Sequence, residues 1–380
     1  FFFHADAGIR DPLWSRGLGD VYKRQDVEFK VIKSTIDTVR LDTETFRVTG
    51  VYLDTLALDF VQEDGSLMIM PVKPLYKDEK FNYTIYYQSD GKESNPADYN
   101  MGGVRVLGLG FFDESEDNPA LVQTHSFPEG ARHWFPSNDH PADKATSTII
   151  TTVRSDWKVL SNGMLKEKTT NWKRLSNGMR IRAVGSGDST TYNWHLDLPN
   201  STYLYVMVAG PYEVIQDYHG DIPMSYWVYP KDKKHADRSF HRTPEIMRFF
   251  EKEYGVAFPW PKMDQITIPG IGGGAESTTA TILGEKTIHD AKAEKDFPSH
   301  WLVAHEAAHQ IVRLEPYVST FQPAGGGPAP PRAICRCERA APPASLGIWR
   351  RARARGGLRR AAVRVGIKRW GGGGGGGGGG

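Results

Sequence analysis

The stretch Trp301-Leu-Val-Ala-His-Glu-Ala-Ala-His-Gln310 is the one from which the rest of the chain can be interpreted. His305 and His309 are four residues apart, so on an α-helix both imidazoles project from one face, about one turn apart. Two histidines in that arrangement can bind zinc, and Glu306 between them can take a proton from a metal-bound water. The stretch therefore predicts a helix equipped for metal-assisted hydrolysis of a peptide bond.

The residues around the two histidines are mostly apolar, which is typical of a buried helix. Three ionisable side chains inside such a helix need partners, because burying an unpaired polar group is costly. A zinc ion would supply a partner to the imidazoles. A histidine pair satisfied by hydrogen bonds within the core is the alternative.

Composition and charge limit the classes of partner. Residues 332–370 contain twelve Lys or Arg and one acid, a local charge of +11, so the rest of the chain carries 2 − 11 = −9. An acidic body predicts neither a nucleic-acid partner nor a membrane-surface partner. No apolar run reaches about eighteen residues, so no transmembrane helix is predicted. No signal peptide is visible either, and the sequence leaves both localisation and oligomeric state open.

Residues 1–25 form a leader that does not continue naturally into residue 26 and beyond. The segment FFFHADAGIRDPLWSRGLGDVYKRQ has neither strand nor helix periodicity and resembles translated sequencing adapter. We therefore expect it to stand outside the fold, whether it is foreign sequence or an ordinary flexible terminus.

From residue 26 to about residue 214 the pattern is that of β-structure. Short β-branched and aromatic runs alternate with DG, NG and GSG turns, and Phe81-Asn-Tyr-Thr-Ile-Tyr-Tyr87 shows period-2 alternation. The pattern predicts an antiparallel β domain over residues 26–214.

Residues 215–313 show a pattern of alternating helices and strands. HADRSFHRTPEIMRFFEKEYG, at 235–255, predicts one helix, with Pro244 near its first turn and Gly255 beyond its end. DQITIPG predicts a strand, GIGGGAESTTATILGE a glycine-rich turn into another strand, and the segment around His305 the zinc-type helix. This segment is expected to form an α+β domain.

Residues 314–380 consist mainly of Ala, Arg, Gly and Pro and end in ten glycines. These residue types have GC-rich codons, so the composition suits a frameshifted translation, and we expect this tail to be disordered. An arginine-rich nucleic-acid-binding tail is the alternative, but aromatic interleaving is absent. The two cysteines of the chain, Cys335 and Cys337, lie here, and two thiols do not complete a four-coordinate zinc site.

A second motif precedes the histidines by about thirty residues. In Gly272-Gly-Gly-Ala-Glu-Ser277 the glycines allow a backbone to approach a ligand closely, and Glu276 follows as a carboxylate. Taken alone, a glycine-rich hairpin with a solvated glutamate is the commoner structure. Beside a zinc site, however, a carboxylate can bind the free ammonium of a peptide's first residue.

With these two motifs the chain resembles the aminopeptidase N family of gluzincin zinc peptidases. GGAES at 273–277 stands where that family has GxMEN, and HEAAHQ at 305–310 matches its HExxH segment. ARHWFPSNDHPADKAT at 131–146, STYLYVMVAGPYE at 201–213 and FFEKEYGVAFPWPKMDQITIP at 249–269 are similar to family segments in the same order. The resemblance covers residues 26–310. It implies a saddle-like antiparallel β domain, or sandwich, followed by the start of a thermolysin-like catalytic domain.

The resemblance also implies roles for individual residues. His305 and His309 would be zinc ligands, Glu306 the general base, and Glu276 the anchor for the substrate's ammonium. Gly273, Gly274 and Ala275 would contact the peptide. The expected partners are therefore peptides with a free amino terminus, and the expected cofactor is zinc.

The chain departs from the family's pattern at three positions. Ala275 stands for the motif's methionine and Ser277 for its asparagine, which loosens the expected amine site. The family's third zinc ligand, a glutamate after a spacing of eighteen residues, would fall at position 328, where this chain has Pro328. A catalytic zinc needs three protein ligands. We therefore expect weak zinc binding and little turnover.

The sequence thus predicts a zinc aminopeptidase that is incomplete as written. A zinc endopeptidase that uses HEAAH without an amine anchor is one alternative. A β-rich peptide-binding module with a vestigial metal site is the other.

Overall fold

A large antiparallel β region comes first in the chain, and a mixed sheet covered by helices comes after it. The computed structural model describes residues 2–4, 21–89, 107–171, 173–174, 180–181 and 189–312. The predicted α+β class, with an antiparallel β domain first, is confirmed. The tail at 314–380 and the position of the missing third ligand, 328, lie outside the described residues.

Within the described residues, strands occur as far as Gly284, and the α-helices begin at Lys233. The strands in chain order are β1 (Phe2–His4), β2 (Val21–Lys30), β3 (Thr35–Ile36), β4 (Val39–Asp42), β5 (Arg47–Leu53), β6 (Leu56–Ala57), β7 (Phe60–Glu63), β8 (Ser66–Ile69), β9 (Leu75–Tyr76), β10 (Lys80–Ser89), β11 (Gly108–Phe112), β12 (Leu121–His125), β13 (Lys144–Arg154), β14 (Lys158–Ser161), β15 (Met164–Asn171), β16 (Lys173–Arg174), β17 (Arg180–Ile181), β18 (Ser189–Ser201), β19 (Met207–Gly210), β20 (Glu213–His219), β21 (Ile222–Val228), β22 (Met263–Ile268), β23 (Gly274–Ala275) and β24 (Ala280–Gly284). The helices are α1 (Lys233–Phe240), α2 (Thr243–Tyr254), α3 (Ala293–Asp296) and α4 (His300–Val312), and 3₁₀ turns lie at Ala131–His133, Thr202–Leu204, Pro230–Asp232 and Glu285–Thr287.

The largest sheet has eight strands in the order β15-β18-β13-β1-β2-β10-β5-β6. Its neighbouring strands are antiparallel, apart from the parallel pair β1 and β13. In β10, Tyr83, Ile85 and Tyr87 are buried, each at most 2% exposed. Successive side chains of a strand point to opposite faces, so this set of alternate residues packs one face of the sheet on the core. The period-2 pattern had predicted that arrangement.

Strand β2 extends into the leader that the sequence pattern placed outside the fold. The strand begins at Val21, five residues before the expected domain start, and β1 pairs with it. The alternation of apolar and polar residues did not predict this start of the strand, because the buried position 25 carries a polar residue. Gln25 is fully buried, and its Nε2 donates a hydrogen bond to the carbonyl of Pro136 at 3.0 Å. Residues 5–20 lie outside the described residues.

A second sheet, β11-β12-β19-β14, lies in the interior of the β region. Every residue of β12 and of β19 is buried. Smaller sheets, β4-β8-β7, β3-β9 and β16-β17, complete this region. Strand β12 ends at His125, and this end of the strand contributes to the candidate site.

The mixed sheet has the order β20-β21-β22-β24-β23, with β21, β22 and β24 parallel and the two outer strands antiparallel to their neighbours. Strands β22 and β24 are buried along their whole length. One face of the sheet, with Tyr226 and Val228, packs against the helices, while Trp227 and Tyr229 join the core of the β region. Parallel strands covered on both faces are usually continuous apolar runs, but here β22 also buries Asp264, Gln265 and Thr267.

The helix predicted over 235–255 is two helices, α1 and α2. Pro244 lies in the first turn of α2, where its missing N–H has no helical partner to lose, and the chain therefore starts a new helix there. Gly255 ends α2 in the left-handed conformation, with a φ of 70°.

Helix α4 contains the whole HEAAH segment, as the histidine spacing predicted. Val303, Ala307 and Ile311, spaced at four residues, face the apolar cluster beneath the mixed sheet. Trp301, which the apolar pattern had placed in a buried helix, is 62% exposed. No helix in the described part of the chain is both long enough and apolar enough to span a membrane.

Candidate active site

The two histidines of α4 converge on one point. Their Nε2 atoms are 3.2 Å apart, and the rings are inclined at 80°. Two imidazole nitrogens that bind one tetrahedral zinc at about 2.0–2.1 Å are about 3.3 Å apart. The spacing of His305 and His309 therefore fits a shared zinc ion.

Glu306 lies on the side of α4 that faces the glycine-rich strand β23. Its side chain is 3% exposed. A Cβ placed on Gly274 would lie 2.4 Å from Glu306 Oε1 and 2.7 Å from its Cγ, closer than any real contact. A side chain at position 274 would therefore force the Glu306 side chain to move, and the constraint comes from this contact and not from a left-handed backbone.

Strand β23 places the rest of the second motif. Gly274 and Ala275 pair with Leu283 and Ile282 of β24, and Ala275 is 9% exposed. Gly273 differs from its neighbour, because a Cβ there would meet no atom within 4 Å. Of the residues predicted to contact a peptide, Gly273 is the one with open space around it.

Glu276 follows β23 directly and completes the site. One ligand atom from each of Glu276, Glu306 and His309 lies within 4.8 Å of the others, and within the described residues this is the group of His, Cys and acidic side chains that could bind a metal ion. The structure therefore brings together the carboxylates of both sequence motifs and the second histidine. His305 joins them through its contact with His309.

The environment of the site favours a neutral imidazole at His305. Burial lowers the pKa of His305, and the negative charge of Glu276 acts in the opposite direction. The neutral ring is the form of histidine that can bind a metal ion.

A small pocket beside Glu276 is lined from the β region by His125, Phe127 and Tyr203, and from the other side by Ala275 and Glu276. Burial lowers the pKa of His125 to about 4, against the opposing effect of Glu276. His125 is therefore neutral at pH 7, and the charge of Glu276 dominates the pocket.

Sequence reasoning did not identify His125 or the bonds of Gln310 as parts of this site. His125 precedes the family-like segment at 131–146 by six residues, and no local pattern distinguishes it. Gln310 directly follows HEAAH in the sequence, but its hydrogen bonds are to residues more than thirty positions earlier. A local sequence pattern carries no information on either contact.

Comparison with known proteins finds one matching family domain and several related aminopeptidases. Residues 24–204 match the Peptidase M1 N-terminal domain. Aminopeptidase M1 of Arabidopsis thaliana is 27% identical over 230 residues, which are 55% of this chain and 24% of the relative. Glutamyl aminopeptidase of Bos taurus is 28% identical over 266 residues, 64% of this chain and 26% of the relative. Probable aminopeptidase 2 of Sulfurisphaera tokodaii is 23% identical over 287 residues, 74% of this chain and 32% of the relative.

The alignments cover only part of the relatives. The chain spans between 24% and 32% of the length of these three proteins.

The contact between Gly274 and Glu306 leads to a prediction about stability. Gly274→Ala should lower the free energy of unfolding by about 1–3 kcal/mol, because the buried Glu306 side chain must move. Gly273→Ala is the matched control and should change it by less than about 0.5 kcal/mol, since its Cβ would enter open space. Urea unfolding of both variants measures the difference. Equal losses in the two variants would contradict the close approach of α4 to β23.

The burial of His125 leads to a prediction about pH. The unfolded chain binds a proton at this residue near pH 6.5, whereas the folded chain binds it near pH 4. Between these values the unfolded state holds more protons, so the free energy of unfolding falls as the pH drops from about 6.5 towards 4, by about 3 kcal/mol in total. His125→Gln should remove this part of the pH dependence. Urea unfolding at intervals over that range tests it, and parallel curves for the two proteins would refute it.

Proposed function

The chain belongs to the M1 family of aminopeptidases, and we propose that it carries the peptide-binding and part of the zinc-binding machinery of an enzyme that releases N-terminal residues from peptides. The observation that supports this most directly is the 3.2 Å spacing of the His305 and His309 Nε2 atoms. The carboxylates of Glu276 and Glu306 lie beside His309. Two imidazoles for a metal, a base and an amine anchor are the groups that this reaction needs.

His305 and His309 are the residues that would bind zinc in this chain. Their nitrogens have the separation that tetrahedral ligation requires, and both lie on one face of a helix buried against the sheet. When bound, zinc supplies Lewis-acid polarisation of the scissile carbonyl and lowers the pKa of a water molecule.

Glu306 is proposed to be the general base. Its carboxylate is pressed between α4 and the backbone at Gly274, which limits its freedom of movement. From there an oxygen of Glu306 takes the proton of the attacking water and later returns it to the leaving amine. A base fixed in this way loses little entropy when the substrate binds.

Glu276 is proposed to bind the ammonium of the substrate's first residue. The carboxylate lies between the two histidines' helix and the pocket formed with His125 and Tyr203. A charge-assisted hydrogen bond from the ammonium to Glu276 would align the first peptide bond with Glu306. Peptides would then be cleaved one residue from the amino terminus.

The proposed zinc site has two imidazole ligands in this chain. The third ligand expected by family resemblance would be at position 328, which is Pro328. Two ligands bind zinc less tightly than three and tune its water less well. We therefore propose that this polypeptide binds zinc weakly and hydrolyses peptides slowly.

Zinc titration of the chelator-treated protein by calorimetry tests the metal site. We expect one weak site, and we expect His305→Ala and His309→Ala each to lower the zinc affinity by about tenfold or more, since each removes one of two imidazoles. His300→Ala, on the first residue of the same helix, is the matched control and should leave the affinity within about twofold.

Two results would contradict this part of the proposal. Zinc affinity that is insensitive to both substitutions would place the metal elsewhere. Stoichiometric zinc retained after dialysis, with hydrolysis of an alanyl chromogenic amide that His305→Ala abolishes, would show that the two imidazoles suffice for a tight and active site.

The role of Glu276 is tested with tetra-alanine and N-acetyl-tetra-alanine. The free peptide should bind about tenfold or more tightly than the acetylated one, because acetylation removes the ammonium charge, and Glu276→Gln should abolish the difference. Calorimetry measures binding, and mass spectrometry of the mixture detects products.

Other outcomes would favour the other functions. Equal cleavage of both peptides at internal bonds would indicate an endopeptidase. Binding without any product, unchanged by a chelator, would indicate a peptide-binding module.

A further inference from the structure

We infer that Gln310 is a positioning residue that ties the Glu276 segment to the histidine helix and so sets the place of the amine anchor. The inference rests on the proposed function, because it concerns how the proposed anchor is positioned. Gln310 is 3% exposed and lies one residue after His309 on α4. Its side chain contacts backbone atoms of Glu276, Ser277 and Thr279.

The amide of Gln310 uses its donor and its acceptor on the same segment. Its Nε2 donates to the carbonyl of Glu276 at 3.0 Å and to that of Ser277 at 3.3 Å. Its Oε1 accepts a hydrogen bond from the backbone N–H of Thr279 at 3.1 Å. Among the standard side chains, only a primary amide can donate to carbonyls with one atom and accept from an N–H with the other in this geometry.

The β region supports the opposite side of the same segment. Asn162 Nδ2 donates to the carbonyl of Thr278 at 2.6 Å, and the N–H of Gly163 donates to Thr279 Oγ1 at 2.7 Å. Thr278 Oγ1 donates to Asn200 Oδ1 at 2.8 Å. The segment is thus fixed to the β region by three bonds and to α4 by the side chain of Gln310.

The backbone of this segment adopts a conformation that depends on those bonds. Thr279 has a φ of 64°, in the left-handed region that a β-branched residue rarely adopts. The residue is fully buried, and its carbonyl accepts a hydrogen bond from the N–H of Asp264 at 2.9 Å. Such a conformation persists only where the surroundings over-determine it. Loss of Gln310 removes one of the constraints on Thr279 and leaves a buried N–H without its partner.

The effect on the anchor follows from chain connectivity. Glu276 is three residues before Thr279, and its own carbonyl is bound by Gln310. When that bond is absent, the segment can turn Glu276 away from Glu306 and His309. The carboxylate then no longer meets the ammonium at the point where the base and the histidines converge.

The chain contains a matched control for this arrangement in the β region. Gln62 Oε1 accepts a hydrogen bond from the N–H of Val48 at 2.8 Å, and its Nε2 donates to the carbonyl of Phe46 at 2.8 Å. Gln62 therefore makes the same kind of bonds with no contact to the candidate active site. Substitutions at position 62 report the general cost of losing such an amide.

The experiment compares the full chain with Gln310→Glu, Gln310→Met and Gln62→Glu. Gln310→Glu keeps the size and an acceptor for Thr279 but turns a carboxylate oxygen towards the carbonyls of Glu276 and Ser277. Gln310→Met keeps the volume and removes the bonds, and it serves as the second variant if the glutamate prevents folding. Circular dichroism and urea unfolding establish that each variant is folded.

Hydrogen exchange of the segment 276–279, measured without metal, is the first readout. In the unaltered chain the Thr279 amide should exchange slowly. The rate to compare is that of the Thr279 amide divided by that of the β24 amides. In both Gln310 variants the Thr279 amide should exchange about tenfold or more faster than the amides of β24, because local opening becomes easier than global unfolding. Gln62→Glu should leave this ratio as it is in the unaltered chain.

Affinity for L-alaninamide is the second readout, and zinc affinity is the third. We expect the Gln310 variants to bind L-alaninamide about tenfold more weakly while zinc affinity stays within about twofold, because His305 and His309 keep their places. If Gln310 only stabilised the fold, its substitution would lower the free energy of unfolding but would not weaken L-alaninamide binding selectively over zinc binding.

The outcomes separate the two proposals. If the unaltered chain does not bind L-alaninamide, the role of Glu276 fails, while the exchange of Thr279 still decides the role of Gln310. If Thr279 exchanges freely in the unaltered chain, or exchanges equally in the Gln310 and Gln62 variants, Gln310 is not a positioning residue.

Discussion

The close approach of helix α4 to the backbone of strand β23 is the constraint on which the candidate site depends. The carboxylate of Glu306 occupies the space in which a side chain at position 274 would lie. This approach brings a carboxylate from one motif to within 4.8 Å of a carboxylate from the other, although the motifs are about thirty residues apart in sequence. A bulkier residue at position 274 would displace the Glu306 carboxylate from this place.

The mixed sheet makes this approach possible because it is buried on both faces. One face packs against α1, α2 and α4, and the other joins the core of the β region through Trp227 and Tyr229. Helix α4 is therefore fixed with respect to β24, and β24 fixes β23 through main-chain pairing. Buried apolar contact of this kind tolerates few shifts, since protein interiors are packed like organic crystals. The β region then does more than cover the sheet, because its residues His125 and Tyr203 line the pocket at Glu276.

Local sequence patterns predicted those parts of the structure that depend on local periodicity. The i, i+4 spacing of His305 and His309 predicted a shared helix face, and the alternation in β10 predicted its buried residues. Strand β2 was misjudged at its start because Gln25 is polar yet buried, satisfied by a carbonyl 111 residues away in sequence. The break between α1 and α2 follows from Pro244. The sequence pattern placed this proline in a first turn, but the separate helix formed by the preceding residues was not predicted.

The parts of the site that the sequence did not reveal depend instead on contacts between distant segments. The left-handed conformation of Thr279 has no local signal, because threonine disfavours it and only the surrounding hydrogen bonds impose it.

The electrostatics of the site explain why a cation is the ligand that it favours. Two carboxylates within 4.8 Å of each other repel when both are ionised, and partial burial strengthens the repulsion because the local dielectric constant is low. His125 does not compensate them, since burial keeps it neutral at pH 7, and His305 is biased in the same direction. In the proposed function, a zinc ion between the histidines or an ammonium beside Glu276 would supply positive charge to these carboxylates. Under the proposed function, the same feature would favour both the metal and the amino terminus of a peptide, and the two cations would take adjacent places so that the first peptide bond lies at Glu306.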